Sequence, residues 1–134
     1  MFAALERSEV SARATVLLSA IAFATWHISV VAFKTGFELP APQIPIFLAN
    51  ALVLGIAWGT MRAMSGSIVV TSVSHGIWNG LAYVLFGEGT KSGALGIHDT
   101  ATFGPEVGII GLAVNAALAG LLWLQLRHPT LSNS

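Results

Sequence analysis

Residues 14–33 read ATVLLSAIAFATWHISVVAF, twenty positions without an Asp, Glu, Lys or Arg, bounded by Arg13 and Lys34. A helix of that length rises about 30 Å, the thickness of a bilayer's hydrocarbon core. No water reaches a backbone there, so a helix, which satisfies its own N–H and C=O groups, is the expected form. The same test finds three more runs: Leu39–Met61, apolar from Ile44, then Ala63–Gly87, then Val107–Leu126. The sequence predicts an all-α fold, a polytopic transmembrane helix bundle of about four helices over 14–33, 44–61, 66–86 and 107–126. Residues 1–13 read as a juxtamembrane segment and 88–106 as a polar loop, within a single membrane domain over 1–134.

Composition agrees. Of 134 residues, 54% are hydrophobic and 9% charged, with a mean hydropathy of +0.77. A soluble domain carries about 25% charged residues, so this chain is not expected in the cytosol. Six basic residues balance six acidic ones, which leaves no excess to neutralise phosphates; membrane lipid, not nucleic acid, is the expected partner. The absence of Cys excludes disulfides, thiolate zinc sites and a Cys nucleophile.

The connections carry their own signals. Pro40, Pro42 and Pro45 stop one helix and start the next, since proline has no N–H for a helix interior. Met64-Ser65-Gly66-Ser67 is a turn between the second and third spans. Arg7, Arg13, Arg62 and Arg127 fall on one side, Lys34 and Lys91 on the other. The positive-inside rule then puts both termini of a multi-pass integral membrane protein in the cytoplasm. Ala22-Phe23-Ala24 has the small-x-small form of a signal cleavage site, but the apolar run continues past it to Phe33.

Polar groups inside spans are expensive, about 2.5–3.5 kcal/mol for a charge at the centre, and are functional suspects. His27 and His75 lie in spans. Thr71, Ser72, His75 and Asn79 fall at i, i+1, i+4 and i+8, on one helical face. At about 1.5 Å per residue, His27 lies roughly 20 Å from Ala14, while His75 and Asn79 lie roughly 14 and 20 Å from Gly66. If both helices start at the same membrane face, the three side chains share a layer. Other polar positions have plainer readings. Asn50 and Asn115 read as interhelical hydrogen-bonding residues, and Gly55/Gly59 and Gly76/Gly80 as close-packing faces. Trp26 and Trp78 read as interface or packing residues, His98-Asp99 as a solvated loop pair and His128 as juxtamembrane.

Phe23-x-x-x-His27, followed 48 residues later by His75-x-x-x-Asn79, resembles the CPBP family of intramembrane metalloproteases, the CAAX prenyl endopeptidase and bacteriocin-processing group. Leu54-Gly55-Ile56-Ala57-Trp58-Gly59, Arg62, Ser65-Gly66-Ser67-Ile68 and Ser74-His75-Gly76-Ile77-Trp78-Asn79 carry the resemblance, over residues 2–82. The family's Glu-Glu-x-x-x-Arg signature has no match; Glu6 and Glu9 are the nearest carboxylates, before the first span and wrongly spaced. An N-terminally truncated member is the simplest expectation, with missing N-terminal helices or self-association covering the exposed polar faces.

The resemblance implies an endopeptidase that hydrolyses peptide bonds of membrane-associated substrates, prenylated C-termini or leader peptides, by activated water. It implies His27 as base or ligand, His75 as ligand or oxyanion donor and Asn79 as oxyanion donor. A divalent metal such as zinc, held by His27 and His75, is the implied cofactor, although two histidines and an amide form a poor zinc site without a carboxylate. A bacterial cell membrane is the expected setting. The alternative is a non-catalytic membrane protein of the same fold, an immunity or scaffold protein. A b-type cytochrome with axial His27 and His75 leaves Asn79 and the glycine-rich run without a role.

Overall fold

Apolar runs became helices, and their ends follow local chemistry. The computed structural model describes residues 2–8, 10–33, 39–88 and 90–126; readings made above on Glu9, Lys34, Arg127, His128 and the Glu6 side chain fall outside the described residues. A short helix α1 (Phe2–Arg7) leads into α2 (Ala12–Ala32), whose first turn is capped by the Ser11 hydroxyl accepting from the Ala14 N–H. A 3-10 turn, Ala41–Gln43, opens into α3 (Ile44–Ser65), with Pro45 in its first turn. Gly66, at φ 66°, closes α3 in the left-handed region that glycine tolerates best. The Ser67 hydroxyl then caps α4 (Ile68–Phe86) through the Val69 N–H.

The third helix runs four residues past the expected end at Met61, through Arg62, whose guanidinium sits 5.4 Å from the Phe2 ring centroid. A long basic side chain at a helix end can keep its stem apolar and its head elsewhere, so the charge does not end the helix.

Residues 87–108 are more than a polar loop. Strands β1 (Gly87–Glu88) and β2 (Lys91–Ser92) form a small antiparallel hairpin. Helix α5 (Thr100–Phe103) follows, capped by the Asp99 carboxylate accepting from the Thr102 N–H. The chain then turns into α6 (Ile109–Gln125). Three helices are long and apolar enough to cross a membrane, and α6 is a shorter apolar helix.

The architecture is a bundle with α3 at its centre, packed against α2 on one side and α6 on the other. Half of the apolar window of α3 is buried (50%), against 6% for α4. Two features hold the bundle. The first is close approach of backbones: a Cβ on Gly55 would stand 3.0 Å from Ala20 Cα, and one on Gly59 would stand 3.1 Å from a Val16 methyl. This is the small-residue packing expected of the pair. Gly76 and Gly80 do not share that role, because space around both is open; α4 packs only lightly on α3 and turns those glycines elsewhere.

The second feature is polar. Asn115 Nδ2 donates to Asn50 Oδ1 at 2.9 Å and to the Pro105 carbonyl at 2.9 Å. Asn50 Nδ2 donates to the Pro105 and Glu106 carbonyls at 3.1 and 3.0 Å. Both amides are buried, and each spends its hydrogen bonds on fixing the turn before α6 to the centre of the bundle.

Two glycine substitutions test this packing scheme. Gly55→Leu is expected to destabilise the bundle in detergent by about 2 kcal/mol through overpacking against α2. Gly76→Ala, in open space, is expected to be neutral or to stabilise by up to about 1 kcal/mol, the ordinary helix preference for alanine. Reversed ranks in denaturant titrations would disprove the assignment of α2–α3 as the close-packed pair.

Candidate functional site

The site residues come from the middle of α2 and α4 and from the turn before α6. Helical spacing places Phe23 and His27 one turn apart on α2, with ring centroids 4.4 Å apart. On α4, His75 lies under the same phenyl ring, 5.5 Å from the Phe23 centroid and 4.3 Å from that of Trp58 on α3. Phe23 therefore stands between the two histidines, and Phe47 closes the other side of His27 at 5.6 Å. The three layered side chains meet: His27, His75 and Asn79 all line one small cavity of about 40 Å³, together with Phe23, Phe47, Trp58, Tyr83 and Glu106.

Hydrogen bonds set the state of each ring. His27 Nδ1 lies 2.7 Å from the Phe23 carbonyl oxygen. A carbonyl only accepts, so Nδ1 carries the proton and, in the neutral ring, Nε2 keeps its lone pair. Asn79 Nδ2 donates to His75 Nε2 at 3.2 Å. Neutral His75 then carries its proton on Nδ1, and the second Asn79 amide proton is left over from this bond.

Two groups that the sequence reading did not single out complete the cavity wall. Tyr83 extends the α4 stripe one turn past Asn79, at i+12 from Thr71, and its hydroxyl donates to Glu106 Oε2. The Trp78 indole N–H donates to Glu106 Oε1, a definite polar role for a residue read above as packing. Glu106 itself is buried and within electrostatic reach of His27. Among the described residues, the carboxylate that lines the cavity with the histidines therefore follows both of them in the chain. Burial raises the Glu106 carboxyl above the usual carboxylate range, while the Tyr83 and Trp78 donors and nearby His27 pull it back down.

The local fold that delivers Glu106 is tight. A Cβ on Gly111 would fall 2.3 Å from the Gly104 carbonyl oxygen, so only glycine lets the turn lie back on the first turn of α6. Thr100 at the start of α5 is tied to α3 by Gln43 Nε2, which donates to its hydroxyl at 3.3 Å.

The remaining polar residues lie outside the small cavity. Thr71 and Ser72 line a second one with His75, Phe23 and Trp58, toward Arg62 and Phe2. His98 and Asp99 are exposed in the loop, with His98 Nδ1 3.2 Å from the Ser92 hydroxyl. Trp26 stacks edge-on against His27 at 5.1 Å and points its other side outward. Beside the small cavity, an almost wholly apolar groove of about 620 Å³ runs between α4 and α6, and Trp78 forms part of its wall.

The described residues alone do not supply a metal site. Among the described residues no three His, Cys, Asp or Glu side chains stand together as ligands for one ion, and a zinc site wants three or four. His27, His75 and Glu106 surround a gap of water size; no step below runs through a metal.

The family model described as type II CAAX prenyl endopeptidase Rce1-like matches residues 1–81, a stretch that includes His27, His75 and Asn79. No curated protein and no solved structure matches the chain.

The amide network invites a direct test, because the turn carrying Glu106 hangs on it. Asn50→Leu is expected to lower stability in detergent by about 2 kcal/mol, the cost of stranding the Glu106 carbonyl and one Asn115 amide proton. It should also increase proteolytic nicking between Thr100 and Gly108. An unchanged unfolding midpoint and an unchanged nicking pattern would show that the turn is held by other means.

Proposed function

The chain belongs to the type II CAAX prenyl endopeptidase Rce1-like family, and on that premise we propose that it is an intramembrane endopeptidase acting on lipid-anchored or membrane-associated peptides. The observation that carries the reading is the shared cavity: His27, His75 and Asn79, 48 residues apart at their extremes of histidine, converge on one gap between α2, α3 and α4. Convergence of costly polar groups at mid-span is the arrangement that chemistry inside a membrane requires.

In this reading a water in the cavity donates to His27 Nε2, the nitrogen left basic by the Phe23 carbonyl. The ring takes the proton as the water oxygen attacks the peptide carbonyl carbon. The electron pair of the C=O bond moves to oxygen, and the second Asn79 amide proton stabilises that oxyanion. His75 orients Asn79 through the hydrogen bond at 3.2 Å. When the intermediate collapses, the C–N bond breaks and His27 returns the proton to the leaving amine. The phenyl and indole rings of Phe23, Phe47 and Trp58 exclude bulk solvent and strengthen each of these interactions.

The apolar groove supports the substrate class. Its wall includes Trp78, whose indole N–H donates to Glu106 of the cavity, and its volume and lining suit a prenyl or acyl tail lying between α4 and α6. Arg7, Arg13 and Arg62 favour a cytoplasmic N-terminus and α3–α4 turn, and a bacterial cell membrane is the setting we propose. The non-catalytic alternative, a scaffold of the same fold, keeps the helices but gives the shared polar cavity no task.

The test uses purified protein in proteoliposomes with a lipidated, fluorescently quenched peptide. His27→Ala and His75→Ala are each expected to lower the rate by at least about 100-fold and Asn79→Ala by about 10²–10³-fold. Rates equal to wild type in all three would leave the scaffold reading standing. Dialysis against a chelator is expected to leave the wild-type rate unchanged. Loss on chelation with recovery on adding Zn²⁺ would require ligands that the described residues do not supply.

A further inference from the structure

Every reading so far leaves one expensive group without a purpose. Glu106 is a buried carboxylate, held by the Trp78 indole and the Tyr83 hydroxyl on α4. Its backbone carbonyl is gripped by Asn50 at 3.0 Å. A buried carboxylate needs partners to be tolerated, and two side chains of α4 are devoted to this one. If the sole need were to tie the turn to α4, a neutral acceptor would serve at far lower desolvation cost.

Position supplies the purpose. The carboxylate shares the small cavity with His27, His75 and Asn79. A carboxylate offers about four lone-pair directions, and Trp78 and Tyr83 use two of them. The cavity volume of about 40 Å³ suits one or two waters between polar walls.

We propose that Glu106 is a catalytic carboxylate of this site: it accepts a hydrogen bond from the attacking water and balances the charge on His27 when that ring takes the proton. The inference rests on the endopeptidase reading and adds a residue to it from outside the stretch that the family model matches. One O–H of the water points to His27 Nε2 and the other to a Glu106 oxygen. The first proton moves to His27 as the C–O bond forms, and the second stays with the former water oxygen. His27 then delivers its proton to the leaving nitrogen as the C–N bond breaks. Glu106 remains ionised throughout, so it stabilises the imidazolium without itself being consumed, and the sum is the addition of one water across one peptide bond.

Trp78 and Tyr83 are positioning residues here. They aim the carboxylate and leave its remaining lone pairs toward the cavity.

Glu106→Gln preserves size and can still pair with both Trp78 and Tyr83, so it removes charge while keeping the clamp. In the same proteoliposome assay it is expected to lower kcat by at least about 100-fold, with KM within about threefold and the same unfolding midpoint as wild type. Glu106→Asp and Glu106→Asn form a matched pair in case Gln perturbs folding; Asp is expected to be at least about tenfold faster than Asn. Trp78→Phe combined with Tyr83→Phe is expected to lower the rate less than Glu106→Gln does. Full activity in Glu106→Gln, equal rates for Asp and Asn, or a double variant as slow as Glu106→Gln would overturn the inference, leaving a clamp alone. Each of those results counts only against Glu106 when His27→Ala is inactive. Equal rates for wild type and His27→Ala would overturn the endopeptidase reading and this inference with it.

Discussion

The structure depends on two amides that cannot be left unpaired. Asn50 lies in the second turn of α3 and Asn115 in α6, where the surroundings offer few alternative partners. Each finds the other at 2.9 Å, and their remaining donors reach the Pro105 and Glu106 carbonyls. Apolar packing among helices in a bilayer is weakly directional, because lipid tails are as apolar as leucine. A hydrogen bond between named atoms is directional. It selects which helix stands beside α3, and at what height the chain turns before α6.

That height is what makes a site. His27 and His75 are placed by helices alone: any two helices starting from the same face bring residues of equal depth together. Glu106 is different. It lies outside a helix and reaches the depth of His27 only because the turn is pulled inward by Asn50 and Asn115 and tightened at Gly111. The carboxylate and the imidazole then approach across an enclosure walled by Phe23, Phe47 and Trp58, where electrostatic forces are screened less than in water.

This division also marks what was legible in the sequence. Charge-free runs disclosed the long helices to within a few residues, because hydropathy and length are local properties. The face shared by His75 and Asn79 was legible from helical periodicity, and the same periodicity reached Tyr83, one turn further on. Gly55 and Gly59 read correctly as a packing face, whereas Gly76 and Gly80 carry the same spacing and face open space; spacing shows that helices are able to approach, not that a neighbour is there. Glu106 was not legible. Its position follows from bonds to residues more than fifty positions away in the chain, and in sequence it looks like any charge flanking an apolar run.

The last helix carries one more consequence. Seventeen residues, Ile109–Gln125, span about 26 Å, roughly a helical turn less than the hydrocarbon thickness. Its far end is fixed, with Trp123 beneath the Arg13 guanidinium at 5.8 Å, level with the first turn of α2. The shortfall therefore falls at the other end, where the Pro105–Gly108 turn begins. A hydrophobic mismatch of that size is met by local thinning of the bilayer. Thinning on the Glu106 side would bring headgroups and water toward the turn. The hydrolysis proposed above needs water at a site inside lipid, and a helix about one turn short of the bilayer shortens the path to it.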